Sequence, residues 1–157
     1  TGLQEPGVVR LSDGRLLMLN RTDQGCQMRS FSSDDGETWS DPELTDLASP
    51  VAPATCERIP GTNRLVLVWN DHRDADAAIA GKRTPLTLAV SDDEGETWKT
   101  LGVLEDDVTG WYCYTAMMFT DDAMLLGYCS TEGDMPKLSR TRIVRIPLET
   151  LSGKGHN

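Results

Sequence analysis

The chain is poor in the residues that build metal sites, disulfide scaffolds and membrane spans. It has four cysteines and two histidines in 157 residues. Cys26, Cys56, Cys113 and Cys129 are too scattered for a disulfide framework, and no C-x-x-C pair occurs. His72 and His156 are the only imidazoles, so no zinc ligand set is spelled out; neither a metal nor another cofactor is expected. No apolar run approaches the ~18 residues of a membrane-spanning helix. Runs such as Leu65–Trp69 are strand-sized, and no membrane span is expected. Positive charge is outnumbered, giving a net charge of −10. No basic stripe offsets that balance, so nucleic acid is not an expected partner. A small anionic ligand stays open wherever a few arginines converge. Helical periodicity is missing too; only Asp74–Ala80 carries a brief helical pattern. No leader-like segment opens the chain, which says nothing about export.

What the sequence does have is a repeat. Ser32-Ser-Asp34-Asp-Gly36-Glu-Thr-Trp39 returns as Ser91-Asp-Asp93-Glu-Gly95-Glu-Thr-Trp98, 59 residues later. The shared pattern is S-x-D-x-G-x-T-W. Its chemistry is that of a turn: the Asp carboxylate can accept backbone N–H groups, and the Gly supplies a permissive backbone. The Trp can fold back and bury apolar area. A calcium loop would need more acidic positions and a Glu at the twelfth, so the boxes read as structural and no metal is assigned to them.

The flanks repeat as well. Gly7–Leu11, Leu16–Asn20 and Gln27–Phe31 precede the first box; Ala54–Ile59, Leu65–Trp69 and Leu86–Val90 precede the second. A third copy without a box runs through Tyr112–Phe119, Met124–Cys129 and Arg142–Ile146. Each run is rich in β-branched, aliphatic or aromatic residues and is bounded by Gly, Pro, Asp or Asn. Four antiparallel strands per repeat describe a propeller blade. The repeats are expected at roughly 4–47, 52–105 and 110–149, with a tail at 150–157.

Strand direction then sorts the polar residues. Strand-connecting turns and the two boxes fall at one end of the sheets. Glu5, Arg21, Asp71, His72, Arg83, Trp111, Tyr114, Cys129, Arg140 and Arg142 fall at the other. Glu5 is expected just before its strand. If Phe119 opposes Met124, Tyr114 opposes Cys129 across the third hairpin. Arg29, Arg58, Arg73 and Arg142 read as solvated or ion-paired side chains.

These segments resemble the sialidase (neuraminidase) superfamily over nearly the whole chain. The stretch from Glu5 through Arg21 is similar to the family segment with a catalytic Glu and the second arginine of a triad. Arg83-Thr-Pro-Leu-Thr-Leu-Ala-Val-Ser is similar to the segment with the third arginine, and Trp111-Tyr-Cys-Tyr114-Thr to the segment with the nucleophilic Tyr. The resemblance implies an all-β fold: the last three blades of a six-bladed propeller. It implies Tyr114 as nucleophile, Glu5 as its base, and Arg21 and Arg83 as ligands of a substrate carboxylate. Asp71, His72, Trp111 and Cys129 would line the pocket rim. The family's first triad arginine and its acid/base Asp lie in N-terminal blades that have no counterpart in these residues. Tyr128 is followed by Cys129 where many relatives carry a Glu.

The chemistry is coherent. A sialic acid carboxylate would repel a carboxylate nucleophile, whereas a neutral Tyr with a base beside it avoids that repulsion. The implied function is a retaining exo-α-sialidase acting on an acidic sugar or sialoglycan, with this segment inactive alone. The alternatives are a non-catalytic glycan-binding or scaffold propeller, and a related enzyme for another acidic sugar. Three blades leave two unpartnered end blades, so the chain is expected to associate with the N-terminal half or with itself. The resemblance points to a secreted or periplasmic setting.

Overall fold

The computed structural model describes residues 2–152, so residues 153–157 of the expected tail, with His156, lie outside the described residues. Three antiparallel sheets follow one another along the chain. The first holds β1 (Gln4–Arg10), β2 (Leu16–Arg21), β3 (Cys26–Ser32) and β4 (Glu43–Ala48) in sequential order. The second holds β5 (Thr55–Arg58), β6 (Leu65–Asn70), β7 (Leu86–Ser91) and β8 (Lys99–Glu105). The third has three strands, β9 (Trp111–Phe119), β10 (Ala123–Thr131) and β11 (Thr141–Pro147), followed by a 3-10 helix at Leu148–Ser152.

The sequence pattern of each strand reflects what its two faces meet. Every residue of β6 and β7 is buried. Leu65, Leu67 and Trp69 pack with Val9, Leu17 and Leu19 of the first sheet, while Val66 and Val68 pack with Tyr112, Met124 and Leu126 of the third. A sheet covered on both faces reads as a continuous apolar run, which is why Leu-Val-Leu-Val-Trp shows no alternation. Each such aliphatic side chain contributes about 1.5–3 kcal/mol by leaving water. β11 alternates instead: Ile146 is buried inward, whereas Ile143 is 75% exposed and, with Met118 at 63%, leaves an apolar outer face on the third sheet.

The two S-x-D-x-G-x-T-W segments form the same turn between the third and fourth strands of their sheets. Asp34 Oδ1 accepts the Thr38 amide at 2.9 Å and the Ser32 hydroxyl at 2.8 Å, and Oδ2 accepts the Thr38 hydroxyl at 2.6 Å. Asp93 repeats the set with Thr97 and Ser91 at 2.5–2.8 Å. Gly36 and Gly95 sit at φ 95° and 87°, the left-handed region where a side chain is strained. Trp39 and Trp98 are only half-buried; the Trp39 indole donates to Gly36 O at 3.1 Å.

Three expectations are corrected. Asp74–Ala80 is a series of turns with no helix, since its polar and alanine residues have no apolar stripe to dock. Glu5 lies inside β1, not before it. Cys129 opposes Cys113 rather than Tyr114, because β9 carries an extra residue.

Candidate active site

Two inner strands begin with the same irregularity. Gln4 pairs Arg21 and Gly7 pairs Leu19, so Glu5 and Pro6 together oppose Asn20. In the third sheet, Ala116 pairs Gly127 and Cys113 pairs Cys129, so Tyr114 and Thr115 together oppose Tyr128. Each bulged strand therefore holds one extra residue, which bends it and re-aims a side chain. Glu5 has φ 48° and Tyr114 has φ 56°. For a non-glycine residue this left-handed backbone costs about 1–2 kcal/mol, and such strain concentrates where side-chain placement matters. β5, the inner strand between them, pairs with β6 without a shift and has normal φ values.

The two bulged residues meet. The Tyr114 hydroxyl donates to Glu5 Oε1 at 3.3 Å, and Glu5 Oε2 accepts from Arg21 Nη1 at 2.7 Å. Arg21 ends β2 directly opposite the start of β1, so the hairpin register brings it to Glu5. Arg83 arrives from the segment ahead of β7, which bridges in parallel to Trp111; the Tyr112 amide donates to Arg83 O at 2.9 Å. Its guanidinium carbon stands 5.0 Å from the Tyr114 ring centroid and 5.2 Å from that of Trp111. Both are cation–π distances.

Both arginines keep donors in reserve. Arg83 is 7% exposed and donates from Nη2 to Val51 O at 3.2 Å, yet its Nε has no partner; the Arg21 Nε is also buried and unpartnered. Buried donors are normally satisfied, and these two orphaned Nε–H groups depart from that rule on the two arginines that flank Glu5 and Tyr114. Burial works against the Arg83 charge, but the neighbouring Tyr114 hydroxyl and Cys113 thiol outweigh it and hold the guanidinium above its ordinary value. A cleft of about 310 Å³ adjoins Glu5 and Tyr114 and is walled by Pro53, Ala54 and Glu57. Burial raises the Glu57 carboxyl.

Comparison with known proteins follows from this geometry. The BNR repeat-like domain family matches residues 1–127. The chain belongs to that family. No curated protein matches it. Among solved structures, this BNR repeat-like chain is similar to the leech intramolecular trans-sialidase, with a TM-score of 0.70 and 18% identity, covering 96% of this chain and 24% of that one. It is similar to the intramolecular trans-sialidase of Ruminococcus gnavus, with a TM-score of 0.69 and 18% identity over 94% of this chain and 33% of that one. It is also similar to the alpha-L-arabinofuranosidase of Fusarium graminearum, with a TM-score of 0.61 and 14% identity over 91% and 44%. The chain thus spans less than half the length of each. At these identities the likeness is one of fold: all-β, with three successive sheets of the sialidase-type propeller.

The expected rim residues divide. Trp111 lies beside Arg83, and Cys129 stands opposite Cys113, the residue before Tyr114. Asp71 instead accepts the Arg73 amide at 3.0 Å, closing a turn. The His72 amide donates to Ala48 O at 3.2 Å and its Nε2 to Thr84 O at 3.1 Å, so it braces the segment that carries Arg83. The Asp71 side chain contacts Arg73, in the amide hydrogen bond and a 3.7 Å ion pair, rather than Glu5 or Tyr114. Arg29, Arg58, Arg73 and Arg142 are each ion-paired, in keeping with their reading as surface side chains.

Sequence reasoning missed what singles out Tyr114. The chain has three tyrosines. Tyr112 and Tyr128 are fully buried, and Tyr114 is 43% exposed. The Tyr112 hydroxyl donates to Glu132 at 3.0 Å and that of Tyr128 to Glu105 at 2.5 Å, while Arg142 bridges the two carboxylates. Burial, then those carboxylates, push both phenols well above the ordinary tyrosine range. Asn70 was also missed: its Nδ2 donates to Pro85 O and Tyr112 O, each at 3.1 Å, locking the Arg83 segment to β9. The sequence signal was a polar residue ending an otherwise apolar strand.

Proposed function

We propose that this chain contributes the nucleophile, its base and two carboxylate-binding arginines to a retaining, sialidase-like glycoside hydrolase. The observation that carries the reading is the contact chain Tyr114–Glu5–Arg21, assembled from residues 109 positions apart and flanked by Arg83. Arg21 and Arg83 hold the carboxylate of an α-sialoside by charge-assisted bonds, each contributing about 1.5–3 kcal/mol. The Tyr114 oxygen attacks the anomeric carbon as Glu5 takes the phenolic proton. The bond to the leaving sugar breaks, and the leaving oxygen takes a proton from an acid outside these four residues. Water then attacks the anomeric carbon and gives a proton to the outside acid's conjugate base; the bond to the Tyr114 oxygen breaks, Glu5 returns the proton to the phenol, and the sugar leaves with its configuration retained.

By the same resemblance the missing acid and the first arginine of the triad belong to N-terminal blades, so the 157 residues act with those blades and are inactive alone. The test is hydrolysis of a fluorogenic α-sialoside by this chain assembled with them. Tyr114→Phe should lower kcat by about a hundredfold or more while leaving ligand binding in place. Undiminished turnover in Tyr114→Phe overturns the assignment. Sialoside binding without turnover in the unaltered protein replaces it with a glycan-binding propeller.

A further inference from the structure

The chain has 25 acidic and 15 basic residues, so carboxylates are plentiful partners for any cation. Nine arginines do hold one within 4.0 Å. Among the described residues Lys82, Arg83, Lys99, Lys137 and Arg140 hold none, and three of these, Lys82, Arg83 and Lys137, gather at Trp111. The Lys137 ammonium is 3.6 Å and the Arg83 guanidinium carbon 5.2 Å from the Trp111 ring centroid, which puts the two cations no more than about 9 Å apart. Lys82 and Lys137 border a cleft of about 130 Å³ with Trp111, Met135, Thr109 and Thr131; no acidic residue lines it.

Of the nearby acids, Asp107 feels the charge of Lys82, which helps lower its carboxyl after the Thr109 hydrogen bonds, but makes no ion pair with it. Asp107 accepts the amide and hydroxyl of Thr109, each at 2.7 Å, and Glu132 faces Tyr112 and Arg142. Lys82 gives one proton to Val108 O at 2.8 Å, leaving two of an ammonium's three donors. In an acidic protein, cations gathered at one ring with no carboxylate in ion-pair contact create a local positive field that suits an outside anion.

We propose that this cleft is a second anion subsite, which takes an anionic substituent on the sugar adjoining the one held by Arg83. The proposal rests on the sialidase-like reading and narrows it: the substrate carries two acidic groups on neighbouring rings, one at Arg21 and Arg83, the other at Lys82 and Lys137.

The test is calorimetric titration at low salt of the chain assembled with its N-terminal blades, with 3′-sialyllactose and with the same sugar carrying a 6-sulfate on galactose. The sulfated sugar should bind about tenfold more tightly, the effect of one added charge-assisted contact at a half-exposed site. That preference should vanish in the Lys82→Gln/Lys137→Gln double variant and persist in Lys99→Gln, which loses the same kind of charge on β8. Arg83→Lys should weaken both sugars. Equal affinity for the two sugars, or loss of the preference in Lys99→Gln, overturns the subsite and leaves the Arg83 grip standing. An Arg83→Lys chain that binds unsulfated sugar normally overturns the grip instead. Binding of neither sugar by the unaltered assembly overturns both.

Discussion

The two ends of the sheets are built by opposite rules. At the end bearing the repeated turns, Ser32, Asp34, Gly36 and Thr38 satisfy one another within seven residues, and Ser91 to Thr97 do the same. Positive φ there falls on Gly36 and Gly95, which tolerate it, and on Asp35 at 57° and Glu94 at 60°. At the opposite end, Glu5, Arg21, Arg83 and Tyr114 come from four separate segments, two of them carry left-handed strain without being glycine, and two guanidinium N–H groups are left unpartnered. A turn that satisfies itself stabilises the blade. A rim that gathers a carboxylate, an exposed phenol and two arginines from distant segments is a place for something else to bind.

The largest expected effect probes the scaffold beneath the rim. A Cβ on Gly110 would lie 2.2 Å from the Tyr112 ring and 2.7 Å from Asp107 O, and that ring is fully buried with no room to retreat. Gly110→Ala should cost about 3 kcal/mol in urea unfolding. Gly95→Ala and Gly36→Ala, which meet only aliphatic side-chain ends and a Trp ring at 3.0 Å or more, should cost about 1–2 kcal/mol each through positive φ. A reversed order would mean the turns, not the rim support, are the stiffer end.

A middle-sized effect appears on acidification. Hydrogen bonds from Thr38 and Ser32 lower the Asp34 carboxyl from 3.8 to about 2. A group lowered on folding stabilises the native state above its unfolded value and loses that contribution as pH falls through the folded one. The melting temperature should therefore decline between pH 4 and pH 2, and Asp34→Asn should lower it at pH 6 but flatten that decline. Parallel pH curves for the two proteins would remove Asp34 from the turn's stability.

The smallest effect sharpens the contrast most. Glu5→Gly removes the Arg21 partner and the Tyr114 acceptor, yet relieves a positive φ. Global stability should stay within about 1 kcal/mol of the parent or rise, as expected where strain serves placement. A loss as large as that of Gly110→Ala, measured by the same urea titration, would make Glu5 a structural residue.

Much of this was legible locally. The box pattern, its glycines and the strand runs are set by neighbours in sequence, so their turn geometry follows from composition and spacing. The meeting of Glu5, Arg21, Arg83 and Tyr114 was legible only as a shared end of the strands together with a family resemblance. Spacing alone placed Tyr114 opposite Cys129, because an unbroken ladder was assumed. The extra residue in β9 is invisible to period-two counting, since a bulge is set by how the strand must bend against its neighbours.

The sequence by itself determined the repeat, the strands and the polar end of each sheet, because hydrophobic period and turn chemistry act over a few residues. The tertiary structure alone decided which tyrosine is exposed beside Glu5 and which cations hold no carboxylate in ion-pair contact. Burial against a second sheet and engagement by distant carboxylates hold Tyr112, Tyr128 and Arg142, and leave Tyr114, Lys82 and Lys137 open. Those partners lie 10 to 37 residues away in the chain, beyond the reach of any local pattern.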